Sequence, residues 1–240
     1  MNPLIVTALF LVSCAGSPQN CPAESAEQTF KKIEDAVCKS KSARVQYAWE
    51  GASTSDPAGK VEATGIVLLK EGNRGNLAAT IIEHTHSSEL KVVSDGSTVK
   101  TKLGPKRVLE CVVPKNLETG LKLALHRLGA MQAVLIAHKV CMLEEGDQEA
   151  ALDLGKKPAI SDIRGGPDDG ESKTILYKIM PEGAESAAEV KLWYAPKTYR
   201  LVKRTITIKK PSESVFTEIY KEWTLDGDLE NEEFTLPSVK

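Results

Sequence analysis

Histidines are the residues of this chain whose type is most often associated with metal binding. His84 and His86 lie two residues apart on a predicted strand, so both side chains point to one face, as a pair of metal ligands would. No third ligand accompanies them in the sequence. His126 and His138 lie on a predicted helix about 120° apart around its axis, so they do not face together. We therefore predict no metal site.

The sequence patterns of common enzyme active sites are missing. The chain contains no G-x-S-x-G, H-E-x-x-H, G-x-x-x-x-G-K-[ST] or G-x-G-x-x-G pattern. Its 31 basic and 33 acidic side chains give a formal net charge of −2, which provides no general attraction to nucleic acid. Lys203 and Arg204 form a short basic stretch that we interpret as a solvated strand edge. We predict a protein that is not an enzyme, with no cofactor and no nucleic-acid partner.

The first residues of the chain indicate export. Residues 4–12 form an uninterrupted apolar run, shorter than the roughly 20 residues that a membrane-spanning helix needs. The run ends in Leu-Val-Ser-Cys at positions 11–14, which resembles the lipobox of bacterial lipoproteins, where the cysteine thiol carries a lipid. We predict a signal peptide over residues 1–13, lipidation of Cys14, and a linker over residues 14–22. Cleavage of an ordinary signal peptide after Ala15 is the alternative.

Four further cysteines are present, and an oxidising compartment permits disulfides between them. Cys21 and Cys38 flank a predicted helix that would hold them about 25 Å apart, too far for a bridge. Cys111 and Cys141 lie at the two ends of the middle helical segment and are the candidate pair. The spacing leaves reduced thiols equally open.

Hydrophobic periodicity predicts the secondary structure. An amphipathic helix is predicted over residues 23–39, with Ser25 as its N-cap and Gln28 completing a capping box. Apolar residues every three or four positions between 117 and 142 predict one long helix, or two helices broken near Gly129. Strands are predicted over 43–51, 61–70, 77–84, 90–94, 98–102, 107–113, 151–154, 159–163, 173–180, 189–194, 199–209 and 213–223.

The connections between most of these strands are only 2–6 residues long, which favours antiparallel neighbours. We therefore predict an α+β fold. Its single strongly curved antiparallel sheet would form an unclosed β-barrel of about ten strands, with helices covering one face. One domain is predicted over residues 23–240.

Several segments resemble, in their order, the lipoprotein carrier and receptor family of bacterial envelopes, the LolA/LolB-like proteins. These are the turn from Gly72 to Leu77, the hairpin from Val93 to Ser97, the strands at 190–194 and 199–204, and the ending from Phe216 to Pro237. The resemblance covers about 43–113 and 150–237. It implies a barrel with a helical lid over a hydrophobic cavity that takes acyl chains of lipids or lipoproteins.

The resemblance also implies roles for individual residues. Arg74 matches the arginine whose hydrogen bonds hold the lid in carrier members of the family. The expected cavity lining comprises Ile66, Leu68, Ile81, Leu192, Leu201 and Ile206. We expect a monomeric carrier or receptor, anchored in the outer membrane through Cys14 and facing the periplasm, or soluble in the periplasm if Cys14 carries no lipid. The alternative is an envelope stress sensor or scaffold of the same fold that binds a protein partner and transports no lipid.

Overall fold

A computed structural model describes residues 24–53, 56–106, 108–153, 159–180, 186–209 and 213–235. The predicted signal peptide, the linker, Cys14 and Cys21 lie outside these residues. The helices are α1 (Ala26–Lys39), α2 (Leu117–Arg127), α3 (Ala130–Val140), α4 (Glu145–Leu152) and a 3-10 helix (Asn231–Phe234). The strands are β1 (Ser42–Ser53), β2 (Asp56–Lys70), β3 (Arg74–Glu83), β4 (His86–Asp95), β5 (Thr98–Leu103), β6 (Leu109–Val112), β7 (Ala159–Gly165), β8 (Lys173–Met180), β9 (Ala188–Tyr194), β10 (Leu201–Ile208) and β11 (Ser214–Leu225).

All of these strands form one antiparallel sheet, in the order β6-β5-β4-β3-β2-β1-β11-β10-β9-β8-β7. The first and last strands of the chain therefore pair in the middle of the sheet, and β6 and β7 are its two edges. The predicted α+β class with an open, curved antiparallel sheet is confirmed. The sheet has 11 strands among the described residues rather than about ten.

The two faces of the sheet differ in what covers them. The inner face packs against α1, α2 and α3 and forms the main hydrophobic core with them. The outer face carries a smaller cluster beneath the 3-10 helix, which consists of Ile66, Leu68, Leu229 and Phe234. Among the described residues, no helix has the length and apolar character needed to cross a bilayer.

Helix α1 begins as its sequence predicts. The Ser25 side chain accepts a hydrogen bond from the Gln28 amide, and the Gln28 side chain accepts one from the Ser25 amide, so the capping box is confirmed. The helix starts at Ala26 rather than at residue 23, because Ser25 has an extended backbone. Phe30, Ile33 and Val37 then fall on the buried face.

The strand predicted over residues 151–154 is wrong, because residues 151 and 152 are the last two of α4 and Asp153 is its C-cap. Residue 154 lies outside the described residues. The segment Glu145–Leu152 is rich in alanine, glutamate and glutamine, which favour a helix. Leu152 anchors it by packing on Gly120 of α2, where an added Cβ would lie 2.9 Å from the Leu152 Cβ. This contact between distant residues fixes a helix whose own pattern is weak.

Candidate functional site

Helices α2 and α3 cover the inner face of the sheet, and we refer to this pair as the lid. The sequence left open one long helix or two helices broken near Gly129, and the structure has the second arrangement. The side of the lid that meets the sheet is aliphatic and buried. Its buried residues include Leu117, Leu121, Ala124, Leu125, Met131, Val134 and Ala137.

Two charged side chains lie within this apolar interface. Arg204 of β10 and Glu218 of β11 are directly opposite each other in the sheet, and both point to the inner face. Their side chains are only 1% and 4% exposed, and the Arg204 Nη1 lies 3.9 Å from the Glu218 Oε2. Burial of an ion pair is costly unless further polar groups satisfy it.

The further polar groups come from the break between the two lid helices. Arg204 donates hydrogen bonds to the Leu125 carbonyl, at 3.3 Å, and to the His126 carbonyl in the last turn of α2. Glu218 accepts hydrogen bonds from the amides of Ala130, at 3.0 Å, and Met131, at 2.8 Å, in the first turn of α3. These carbonyls and amides have no partners within their helices, so the ion pair caps both helix ends at once. We call this arrangement the polar joint.

The polar joint requires glycine at position 129. Gly129 has φ 111° and ψ 172°, a region that only glycine adopts readily. An added Cβ would lie 2.5 Å from the Glu218 Oε2 and 2.8 Å from the Arg204 Nη1. The missing side chain therefore lets the backbone approach both charges.

Two tyrosines complete the surroundings of Arg204. The Tyr177 hydroxyl donates to the Arg127 carbonyl at 3.0 Å and so satisfies another carbonyl at the end of α2. The Tyr220 ring lies 6.0 Å from the guanidinium carbon of Arg204. Burial alone would lower the pKa of Arg204, but Tyr220, Tyr177 and Glu218 raise that pKa above its usual value. Arg204 is therefore a permanent positive charge beneath the lid.

A second polar cluster joins α1 to the end of α2. Arg127 binds the Glu34 carboxylate with two hydrogen bonds of 2.6 and 3.0 Å. The His126 Nδ1 lies 3.4 Å from the same carboxylate, but neither ring nitrogen makes a well-aligned hydrogen bond, and the ring is fully buried against Phe30. Burial lowers the pKa of His126. Burial raises the pKa of Glu34, yet His126 and Arg127 outweigh this effect and lower it to about 2.

The outer ends of the lid are also attached. At the start of α2, the Asn73 side chain accepts from the Glu118 amide at 3.0 Å and acts as a cap supplied by the β2–β3 turn. At the end of α3, Cys141 is joined by a disulfide to Cys111 of β6, with the two Cα atoms 5.3 Å apart. The lid is thus held at both ends and at its break.

The structure divides the residues expected to line a cavity. Leu192 and Leu201 are fully buried in the main core, and Ile81 and Ile206 pack against that core from the inner face. Ile66 and Leu68 do not join them, because they lie in the cluster on the outer face. The physical reason is strand alternation: their neighbours Val67 and Leu69 occupy the inward positions of β2.

Arg74 does not hold the lid in this structure. Its Nε donates to the Glu71 carbonyl at 3.2 Å, and its Nη1 donates to the Asn231 Oδ1 at 2.6 Å. In the pairing of β2 with β3, Arg74 lies on the same outer face of the sheet as Leu68 and Asn76. Its side chain therefore connects the β2–β3 turn to the 3-10 helix. The contacts to lid carbonyls that the resemblance assigned to Arg74 are made instead by Arg204.

The sequence interpretation missed Arg204 and Glu218. Arg204 was assigned to a solvated edge, yet it is nearly inaccessible and lies on a strand between two neighbours. The sequence did contain an indication of this burial. Ile206 was expected to point inward, and Arg204, two residues before it on the same strand, must point to the same face. His84 and His86, in contrast, are exposed at the β3–β4 turn. No group of three metal-binding side chains occurs among the described residues.

No known protein family matches the sequence, and no curated protein matches it. Among solved structures, the chain is similar to a LolA superfamily protein from Nitrosomonas europaea, with 13% identity, a TM-score of 0.38, and coverage of 89% of this chain and 99% of that one. It is also similar to LprF from Mycobacterium bovis, with 14% identity, a TM-score of 0.37, and coverage of 82% and 92%. A DUF1329 family protein from Desulfovibrio piger has 10% identity, a TM-score of 0.35, and coverage of 88% and 98%. These TM-scores are low, so the function proposed below rests on the geometry of this chain.

Proposed function

We propose that this protein binds acyl chains of lipids or lipoproteins between its lid and the inner face of its sheet, as a carrier or receptor of the bacterial envelope. The observation that carries the proposal is the polar joint. Two side chains of the sheet bind four backbone groups at the break between the two helices of the lid, whose side toward the sheet is mainly aliphatic.

The energetics of the polar joint favour a cover that opens. Well-packed apolar residues often stabilise a protein as much as a buried ion pair does, so the pair is a poor means of simply fixing two helices. It does provide a discrete closed state, since the bonds of Arg204 and Glu218 are made together when the lid is seated. Water can replace all of these bonds when the lid lifts.

Lifting the lid would uncover aliphatic surface suited to an acyl chain. Leu192 and Leu201 are fully buried beneath the covering helices, and the lid contributes Leu121, Leu125 and Val134. An acyl chain would cover the apolar surface that the sheet and the lid expose when they separate. Removing this surface from water is favourable by roughly 25 cal/mol per Å² of apolar area. The closed structure is then the unliganded state of the carrier.

The proposal includes export and a lipid anchor at Cys14. A lipidated Cys14 would hold the domain at the outer membrane, facing the periplasm. The test is incorporation of labelled palmitate in cells. We expect the label on the natural chain and none on Cys14→Ala, while Cys38→Ala keeps it. Label that persists in Cys14→Ala would contradict the anchor.

The acyl ligand is tested by native mass spectrometry of the protein expressed without residues 1–13 and purified without detergent. We expect co-purified acyl species, and we expect added long-chain fatty acid to displace a fluorescent fatty-acid analogue. Absence of both would remove the carrier proposal. The remaining candidate would then be an envelope sensor or scaffold of the same fold.

A further inference from the structure

A groove outside the lid runs between α1 and the far end of the sheet. Its volume is about 510 Å³, within the range of small-molecule sites. One wall is the face of α1 that carries Ile33, Ala36 and Val37. The other wall is the β9–β10 turn together with the end of β11. Its lining includes Ile33, Ala36, Val37, Tyr199, Arg200, Trp223 and Leu225.

The base of this groove is apolar. Ile33, Val37 and Trp223 are almost completely buried, and Leu225 is half-buried beside them. Ala36 lies at the open side of α1, where its small side chain leaves the groove accessible. A long, narrow apolar group is the kind of ligand that such a surface accommodates.

Tyr199 forms the aromatic wall, and its backbone is strained. Its φ is 55°, in the left-handed region that bulky residues rarely adopt. Three contacts hold it there: its ring stacks on Tyr194 with centroids 6.3 Å apart, Lys32 lies 5.6 Å from the ring centroid, and its hydroxyl donates to Glu24 at 3.0 Å. Strain of this kind is found at ligand clamps, where the surrounding structure over-determines one conformation.

Arg200 is the charged side chain among the described residues that line the groove, and the charged residues of α1 near it are paired with one another. Glu24 is paired with Lys32 at 2.7 Å, and Asp35 is paired with Lys39 at 2.9 Å. The Arg200 guanidinium makes no ion pair with any of the described residues, and it is exposed at the mouth of the groove. An apolar base beneath an uncompensated guanidinium is complementary to an apolar chain that ends in an anion.

We propose that this groove is a second acyl site, which binds one long-chain fatty acid with its chain against Trp223 and its carboxylate at Arg200. The site is separate from the space beneath the lid. Only the choice of an acyl chain as the ligand depends on the proposed function.

Trp223 supplies the experiment, because bromine atoms on an acyl chain quench the fluorescence of a nearby indole. The purified protein is titrated with dibromostearic acid. We expect saturable quenching in the wild type and in Trp193→Phe, whose indole lies on the outer face, and we expect Trp223→Phe to lose most of it. Trp223 also packs in the main core against Tyr220, so only quenching of Trp223 that Ala36→Phe weakens reports the groove. Quenching that follows Trp49 instead, or that Ala36→Phe leaves unchanged, would overturn the groove site and leave the site beneath the lid standing.

Two substitutions test the groove itself. Ala36→Phe should fill the groove, so that half-maximal quenching of Trp223 requires a ligand concentration at least about tenfold higher. Ala150→Phe, at an exposed position of α4, should leave that concentration unchanged. Arg200→Gln should weaken binding of the acid about fivefold and should not affect the methyl ester. Lys197→Gln, a neighbouring exposed cation outside the lining, is its control.

The outcomes separate the two proposals. Binding that Ala36→Phe and Arg200→Gln leave unchanged would overturn the groove site alone. Failure of the acid to bind at all would contradict both the groove and the proposed function. Quenching of Trp223 that depends on both residues supports the groove, whatever happens beneath the lid.

Discussion

Glu218 is the residue on which the closed lid depends most directly. Its two carboxylate oxygens bind the first amides of α3, and it is the charge opposite Arg204. Glu218→Ala would leave the Arg204 guanidinium buried without an anion. We expect a loss of about 3–5 kcal/mol in the free energy of unfolding, measured by urea denaturation.

Two further variants separate charge burial from the loss of a side chain. Glu189→Ala removes a carboxylate whose ion pair with Lys209 is exposed, and it should leave stability unchanged. Arg204→Met combined with Glu218→Leu removes both charges and should recover much of the loss. If the double variant is no more stable than Glu218→Ala, uncompensated charge is not the cause.

Gly129 gives a prediction about backbone conformation. Gly129→Ala forces a side chain into a glycine-only region, at about 1–3 kcal/mol of strain, and brings its Cβ against the carboxylate of Glu218. We expect a lower free energy of unfolding and a less protected first turn of α3 by amide hydrogen exchange. Gly146→Ala in α4, where an added Cβ meets nothing within 4 Å, should be neutral or stabilising. Equal destabilisation by the two changes would contradict the special role of position 129.

For single residues, the sequence predicts burial better than it predicts the groups to which a side chain binds. Alternation places Arg204 on the same face as Ile206, so its inward direction could have been derived from the sequence. Its partners could not, because the carbonyls of Leu125 and His126 lie 78 or more positions away and become available only where α2 ends. The assignment of the lid contact to Arg74 failed because a turn arginine also has local acceptors and can bind them at little entropic cost.

At the scale of elements, the contact between α1 and α2 contains two groups, His126 and Glu34, whose shifted pKa values affect stability between pH 8 and pH 3. The buried His126 resists protonation, so stability falls as the pH drops below the usual pKa of 6.5, where the unfolded chain binds a proton. Glu34 keeps its charge down to a pKa of about 2, so its contribution is present above its usual 4.5 and is lost between 4.5 and 2. Urea denaturation across pH 8 to 3 should therefore show two successive decreases.

The two decreases can be assigned by substitution. Glu34, Arg127 and Arg204 are the charged groups that influence His126. His126→Leu should remove most of the decrease that begins near pH 6.5, and the remainder belongs to His138, whose pKa burial also lowers. The decrease below 4.5 should stay, because the Glu34 pair with Arg127 remains. A His126→Leu variant with the same profile as the wild type would show that other groups control the first decrease.

Elements with strong periodicity were predicted well, and those fixed by distant contacts were not. The capping box of α1 and the break at Gly129 follow from local chemistry, and both are present. The end of α4 was predicted as the start of a short strand because the apolar residues of this helix are few, and the packing of Leu152 on Gly120 is what holds it in place. The outward direction of Ile66 and Leu68 was missed because β2 is apolar on both faces and alternation alone cannot rank them.

For the whole molecule, the closed sheet-and-lid structure and an acyl ligand should compete for the same surface. A ligand that binds only the open state has an apparent affinity reduced by the fraction of molecules that are open. Weakening the polar joint should therefore lower stability and raise affinity together. This coupling distinguishes a cover that opens from two helices that are simply part of a packed core.

Tyr177→Phe is a mild change that tests the coupling. It removes the hydrogen bond to the Arg127 carbonyl at the end of α2, worth about 1 kcal/mol, and should raise the apparent fatty-acid affinity about fivefold by favouring the open state. Trp193→Phe is the matched control, because it removes the hydrogen bond from the Trp193 indole to Asp169 on the outer face, away from the lid, and should leave affinity unchanged. Displacement titrations are made with Ala36→Phe present in both variants, so that the outer groove does not contribute. An unchanged affinity in Tyr177→Phe, despite a measured loss of stability, would mean that the lid does not open for the ligand and that the helices belong to a permanent core.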